Sequence, residues 1–168
     1  MKDREWKIKK PMLFAEKYGI LIFPLTAGIL FLLQNTSHTI AGSQIDWISQ
    51  HTVLAEYFRQ RFYSTHEFFP QFASELGGGQ NIYNFSYYGL YNPIVLIAYL
   101  LPFVKMSDYI MAVSITGLTA SVLLFYYWLK SRKTDAGTAF ILSLMFLLAG
   151  PMIGQYSGQI MFVDYMPF

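Results

Sequence analysis

The chain has 168 residues, of which 54% are hydrophobic, 18% aromatic and only 13% charged, with a formal net charge of +2. That balance is too apolar and too charge-poor for a soluble domain, and it marks a membrane protein. The absence of cysteine excludes disulfides, thiol catalysis and thiolate-held metals, and no basic stripe outside the flanks of the apolar runs offers a nucleic-acid surface.

Residues 1–17 form a basic N-terminus (Lys2, Arg4, Lys7, Lys9, Lys10, Lys17) of the kind that stays in the cytoplasm. Tyr18–Gln34 lacks Asp, Glu, Lys, Arg and His and, at about 1.5 Å per residue, reaches about 25 Å, so it reads as a first transmembrane helix. No small-residue cleavage site follows it, so it is retained and not a signal peptide. Residues 35–108 come next, far more than a connection needs. Within them Val53, Leu54, Tyr57, Phe58 and Phe62 recur at helical spacing while Glu56, Arg59 and Arg61 turn toward water or headgroups. An amphipathic juxtamembrane helix is therefore predicted from about Trp47 to Ser64. Glu67–Leu76 reads as a turn or short helix, and Gly77–Asn92 as a loop rich in Gly, Asn and Tyr.

Pro93–Val104 (PIVLIAYLLPFV) has 12 residues and a second proline at Pro102. At about 18 Å it is too short to cross, so it is read as half-inserted. Tyr109–Leu129 and Ala136–Ile153 are the second and third spans, joined by a cytoplasmic loop, 130–135, and followed by an outer tail, 154–168. Charge supports this division. If 93–104 stays outside, nine basic residues lie inside and three (Arg59, Arg61, Lys105) outside; if it crosses, the partition is seven and five. The predicted fold is all-α: a polytopic, multi-pass cell-membrane protein with three transmembrane helices, the N-terminus cytoplasmic, and the long loop and C-terminus outside.

With no ionisable group in the spans, proton relays and voltage sensing lose their usual residues, and any chemistry belongs to the outer loop. Asp46 opens Asp-Trp-Ile-Ser-Gln-His just before the amphipathic helix. It is either an N-terminal helix cap or a carboxylate able to take a proton from a hydroxyl or hold a metal, with Trp47 as an interfacial anchor. His38, His51 and His66 show no metal-binding spacing and read as solvated loop residues. Arg59 and Arg61 suit either headgroup contact or bidentate recognition of a lipid phosphate. Gly77-Gly78-Gly79 lacks the Lys-Ser or Lys-Thr of a P-loop and reads as a turn. The aromatic run Tyr83, Phe85, Tyr87, Tyr88 and Tyr91 suits an interfacial belt or a surface for sugar rings, and Asn84-Phe85-Ser86 matches a glycosylation acceptor pattern. Gly150 and Gly154 form a GxxxG through which partner helices can pack.

Taken in order, these parts resemble a known family. A basic N-terminus and one span are followed by Ile45-Asp46-Trp47-Ile48-Ser49-Gln50-His51, an amphipathic helix and a glycine turn. Asn84-Phe85-Ser86-Tyr87-Tyr88 and Tyr91-Asn92-Pro93 then lead into a short apolar helix. The tail runs from Gly154-Gln155-Tyr156 to Val163-Asp164-Tyr165-Met166-Pro167-Phe168. The whole is similar to the start of the bacterial YfhO family, membrane proteins of the GT-C glycosyltransferase type. The resemblance implies transfer of a sugar from a polyprenyl-phosphate carrier to an outer-face cell-wall polymer such as lipoteichoic acid. It makes Asp46 the catalytic base and assigns Arg59, Arg61, Asn84 and Tyr87 to substrate binding. A divalent cation is a possible cofactor, with Asp164 a weak candidate ligand. Because family members are longer, the chain reads as an N-terminal fragment not expected to catalyse alone. A non-enzymatic membrane protein that packs against partner helices is the rival reading.

Overall fold

A computed structural model of the chain describes residues 18, 21–30, 46–88 and 90–152. Helix α1 covers Leu21–Leu30. A π-helical turn, Trp47–His51, runs without a break into α2, Thr52–Thr65. A small antiparallel hairpin follows, β1 Phe72–Ala73 and β2 Gln80–Asn81, and then a 3-10 turn, Ile82–Tyr88. Helix α3, Pro93–Ile97, continues as a 3-10 turn through Ala98–Leu100, and two longer helices close the described chain: α4, Met106–Ser131, and α5, Ala136–Leu147.

Local chemistry explains most of these boundaries. Asn92 accepts a hydrogen bond from the Ile94 amide (2.8 Å) and Pro93 begins α3 with its ring already at a helical φ. Helix α4 ends in a Schellman arrangement: Lys133 takes the left-handed conformation (φ 63°), its amide reaches Lys130 O, and the Thr134 amide reaches Leu129 O. Two residues later Asp135 caps α5 by accepting from the Thr138 amide at 3.0 Å, and hydrogen bonding from the Thr138 side chain, with that amide, holds its carboxyl below the usual range. Helix α5 occupies only the first part of the apolar run that ends at Ile153. Pro151, which supplies no amide hydrogen, lies just beyond its end.

Helices α4 and α5 pack through small side chains. Ser114, Ser121, Ala136, Ala139 and Ser143 are fully buried, so the two backbones approach closely. Phe23 of α1 stacks on Phe140 (5.4 Å between ring centres) and tilts against Tyr126 (6.1 Å), joining α1 to the pair. The opposite faces carry exposed Leu124, Tyr127, Trp128, Ile141, Leu142 and Met145, an outward apolar surface that suits lipid. Among the described residues, α4 is the one helix long and apolar enough to cross a bilayer; its 26 residues reach about 39 Å.

A second core lies beside this bundle. Phe58, Ala73, Ile82, Leu90 and Tyr99 are buried together, with Leu54, Phe62, Phe85 and Tyr91 against them. Helix α2 sits between the two cores. Ala55 belongs to the bundle side and Phe58 to the hairpin side, so the helix is covered along more than the single apolar stripe expected. Val53, counted on that stripe, instead points outward. The stretch 67–76, expected as a turn or short helix, bends through 68–71, enters the hairpin at Phe72–Ala73 and turns at Ser74 and Glu75. The segment expected as loop contains the 82–88 turn, seated on α2 by Phe85 against Phe58 (6.4 Å).

Candidate functional site

Asp46 stands at the mouth of the π turn and is partly exposed. Its side chain makes no capping hydrogen bond, so the helix-cap reading finds no support in the geometry. The turn behind it is firmly seated. Thr52 directs both its amide and its hydroxyl (3.1 Å) to the carbonyl of Trp47, closing the wide turn, and Trp47 is fully buried in the core shared with Phe23, Ala27 and Ala98. Trp47 is therefore a core residue and not an interfacial anchor. His51 is likewise buried, not solvated; burial pushes its pKa down, against an upward pull from the Asp46 carboxylate. His66 is exposed as expected, and His38 lies outside the described residues.

Arg59 departs furthest from its sequence reading. It is 4% exposed, and its Nη1 donates to three carbonyls: Ala98 at 3.4 Å, Leu101 at 3.1 Å and Val104 at 2.8 Å. Ala98 O and Leu101 O also accept from the Leu101 and Val104 amides, so the guanidinium adds a further donor to each and ties the end of α3 and its 3-10 extension to α2. Its Nη2 pairs with Glu56 one turn earlier. Tyr99, in the same short run, is buried beside this cluster. Burial pushes its hydroxyl up to about 12, with Arg59 pulling the other way, and so keeps it protonated.

Arg61 lies on a different side of α2, as residues two apart must. Its Nη1 meets the Tyr57 hydroxyl at 3.2 Å and Glu75 at 3.6 Å, and Tyr57 also donates to Glu75. The two arginines, either of which was expected to meet a lipid phosphate, thus lie apart, and each already faces a carboxylate. Asn84 is exposed on the 82–88 turn, and Tyr87 lies on the same turn with its side chain outside the described residues. The glycine turn closes the hairpin: Gly77, Gly78 and Gly79 all have positive φ, and a Cβ at Gly79 would come 2.8 Å from the Phe72 ring. Gly150 has open space where a Cβ would stand, while Gly154 and Asp164 lie outside the described residues.

Two cavities flank α2. One, of about 600 Å³, lies against the 102–107 turn and is lined by Val53, Glu56, Gln60, Pro102, Phe103 and Lys105 among others. The other, of about 390 Å³, is bounded by Arg61, Ser64, Thr65, Ser74 and Glu75. Both share Tyr57 and Gln60 as a wall.

The family model of the bacterial membrane protein YfhO matches residues 20–167. The chain belongs to the YfhO family. No curated protein and no solved structure matches it. Family membership agrees with the apolar outer face of α4 and α5 in identifying a bacterial membrane protein. Within this YfhO-family chain, sequence reasoning missed Gln60, Ser64, Ser74 and Glu75 as cavity walls. The first two carry a signal, since Glu56, Gln60 and Ser64 follow one another at four-residue spacing on α2. The hairpin residues carry none, because their place depends on how the loop folds back.

Proposed function

We propose that this YfhO-family chain forms the N-terminal part of a membrane glycosyltransferase that moves a sugar from a polyprenyl-phosphate carrier to an outer-face acceptor such as lipoteichoic acid. Asp46 is the base: its carboxylate takes the proton of the acceptor hydroxyl as that oxygen attacks the anomeric carbon, while the bond to the lipid phosphate breaks. The observation that carries this reading is the seat of Asp46. Asp46 is partly exposed at the mouth of a π turn whose Trp47 and His51 are locked in the core. Single π turns recur at functional sites, and a base must be held in position to work.

The leaving phosphate was assigned by sequence to Arg59 or Arg61. With Arg59 spent on backbone carbonyls and Arg61 on Tyr57 and Glu75, the proposal gives Arg59 a positioning role. Asn84 and Tyr87 are proposed to contact the sugar from the 82–88 turn. Among the described residues no group of three His, Asp or Glu converges, and Asp164, the weak candidate ligand, lies outside them.

The test is sugar transfer in membranes carrying the complete gene product, supplied with a labelled polyprenyl-phosphate sugar. Asp46→Asn is expected to abolish transfer with membrane insertion unchanged, and Asp46→Glu to retain a fraction. Wild-type transfer by Asp46→Asn would remove Asp46 from the mechanism.

A further inference from the structure

The two cavities beside α2 meet at Tyr57 and Gln60 and differ in character. The larger has the size of a small-molecule site and an apolar side made by Val53, Pro102 and Phe103, of which Val53 and Phe103 are 54% and 81% exposed. The smaller is walled by the hydroxyls of Ser64, Thr65 and Ser74, by the Glu75 carboxylate and by the Arg61 guanidinium that pairs with it. The geometry points to one continuous groove that takes an amphiphile with an uncharged, hydroxyl-rich head group. The alkyl part lies over Phe103 and the head beside Ser64 and Ser74.

Hydrogen-bond polarity selects the head. Ser64 and Thr65 both donate to the carbonyl of Arg61 (2.9 and 3.0 Å), and Gln60 donates through Nε2 to Glu56 (3.0 Å). The two hydroxyls are then left with oxygen lone pairs, and Gln60 with its carbonyl oxygen and one N–H. Glu75 adds a carboxylate. With the Nε of Arg61, a buried donor left without a hydrogen-bond partner, the wall holds both donors and acceptors, and it is matched by a ligand whose groups do both, as each hydroxyl of a sugar or polyol does.

A phosphate brings only acceptors and negative charge. In both ion pairs along the groove the carboxylate is the more exposed partner: Glu56 at 32% against 5% for Arg59, and Glu75 at 67% against 20% for Arg61. Lys105 is the exposed cation of the larger cavity and stands on the turn next to Phe103, at the apolar end. The groove thus presents carboxylates to the head group.

The experiment uses the whole chain in phosphatidylcholine nanodiscs, labelled with a diazirine-bearing octyl glucoside and mapped by peptide mass spectrometry. Adducts are expected on the peptides carrying Val53 and Phe103. Unlabelled octyl glucoside should compete about tenfold better than octyl phosphate and about tenfold better than methyl glucoside. Gln60→Ala and Ser74→Ala, both solvent-facing and expected to fold, should cut labelling at least to about one third. Equal or better competition by octyl phosphate would overturn the choice of an uncharged head. Equal competition by methyl glucoside would overturn the apolar half of the groove. Adducts confined to the outward faces of α4 and α5, or unchanged in both variants, would overturn the site altogether. Binding is read here with no turnover, so loss of transfer in Asp46→Asn and loss of labelling in Gln60→Ala are separate results.

Discussion

Arg59 ties α2 to a segment that begins nearly forty residues later, and it does so with charge at a place where charge is costly. A guanidinium taken from water is tolerated when its donors are matched, and here three carbonyls and the Glu56 carboxylate match them. Arg59→Met keeps much of the apolar stem and removes every donor. It is expected to destabilise the protein by roughly 3 kcal/mol, read as a lower midpoint in thermal unfolding followed by circular dichroism in detergent. Arg59→Lys should recover only part of this, because one ammonium cannot span three carbonyls and a carboxylate in the geometry of a planar fork. A midpoint unchanged in Arg59→Met would mean that the carbonyls find other donors. None of this was legible locally: a charged residue on an amphipathic pattern reads as water-facing, and its acceptors lie 39 to 45 positions away. Trp47 and His51 were misread for the same reason. The pattern around Asp46 singles it out as a candidate, and the geometry adds that its side chain makes no capping hydrogen bond.

At the scale of elements, α2 stands where apolar spacing puts a helix, because that spacing is a local property of the chain. Its stop was not marked by glycine. His66 takes the left-handed conformation (φ 61°), and its amide closes on Phe62 O at 2.8 Å. A left-handed non-glycine residue costs on the order of 1 kcal/mol, so His66→Gly is expected to stabilise the protein by about that amount, with His66→Ala giving no gain. Chemical unfolding of the three proteins side by side in one detergent checks this, and a less stable His66→Gly would show that the imidazole makes contacts that outweigh the strain. The hairpin was not legible, since two-residue strands have no alternating pattern to read. Only its turn was announced, by three consecutive glycines. In the aromatic run read as a belt, Tyr83 is exposed and tilts on half-buried Tyr91, which meets Phe69, at ring distances of 5.6 and 5.4 Å, while half-buried Phe85 packs on α2.

For the whole molecule, membrane residence followed from composition and is matched by family membership and by the apolar length of α4. The number of crossings depends on 93–104, and the lack of cysteine makes it accessible to experiment. With Ser49→Cys, Lys105→Cys and Ser131→Cys probed in intact cells by a membrane-impermeant maleimide, positions 49 and 105 are expected to label and 131 only after the membrane is opened. Protection of 105 with labelling of 131 would mean that the short run crosses. The contacts of Arg59 bear on that outcome through the order of synthesis. Its guanidinium leaves the ribosome 39 to 45 residues ahead of the carbonyls it will hold. When the apolar run emerges, the donor for its C-terminal end is already waiting on α2. Insertion across the bilayer would carry those carbonyls away from it, so labelling of 105 in intact cells would make the earlier-made helix a template for the later one.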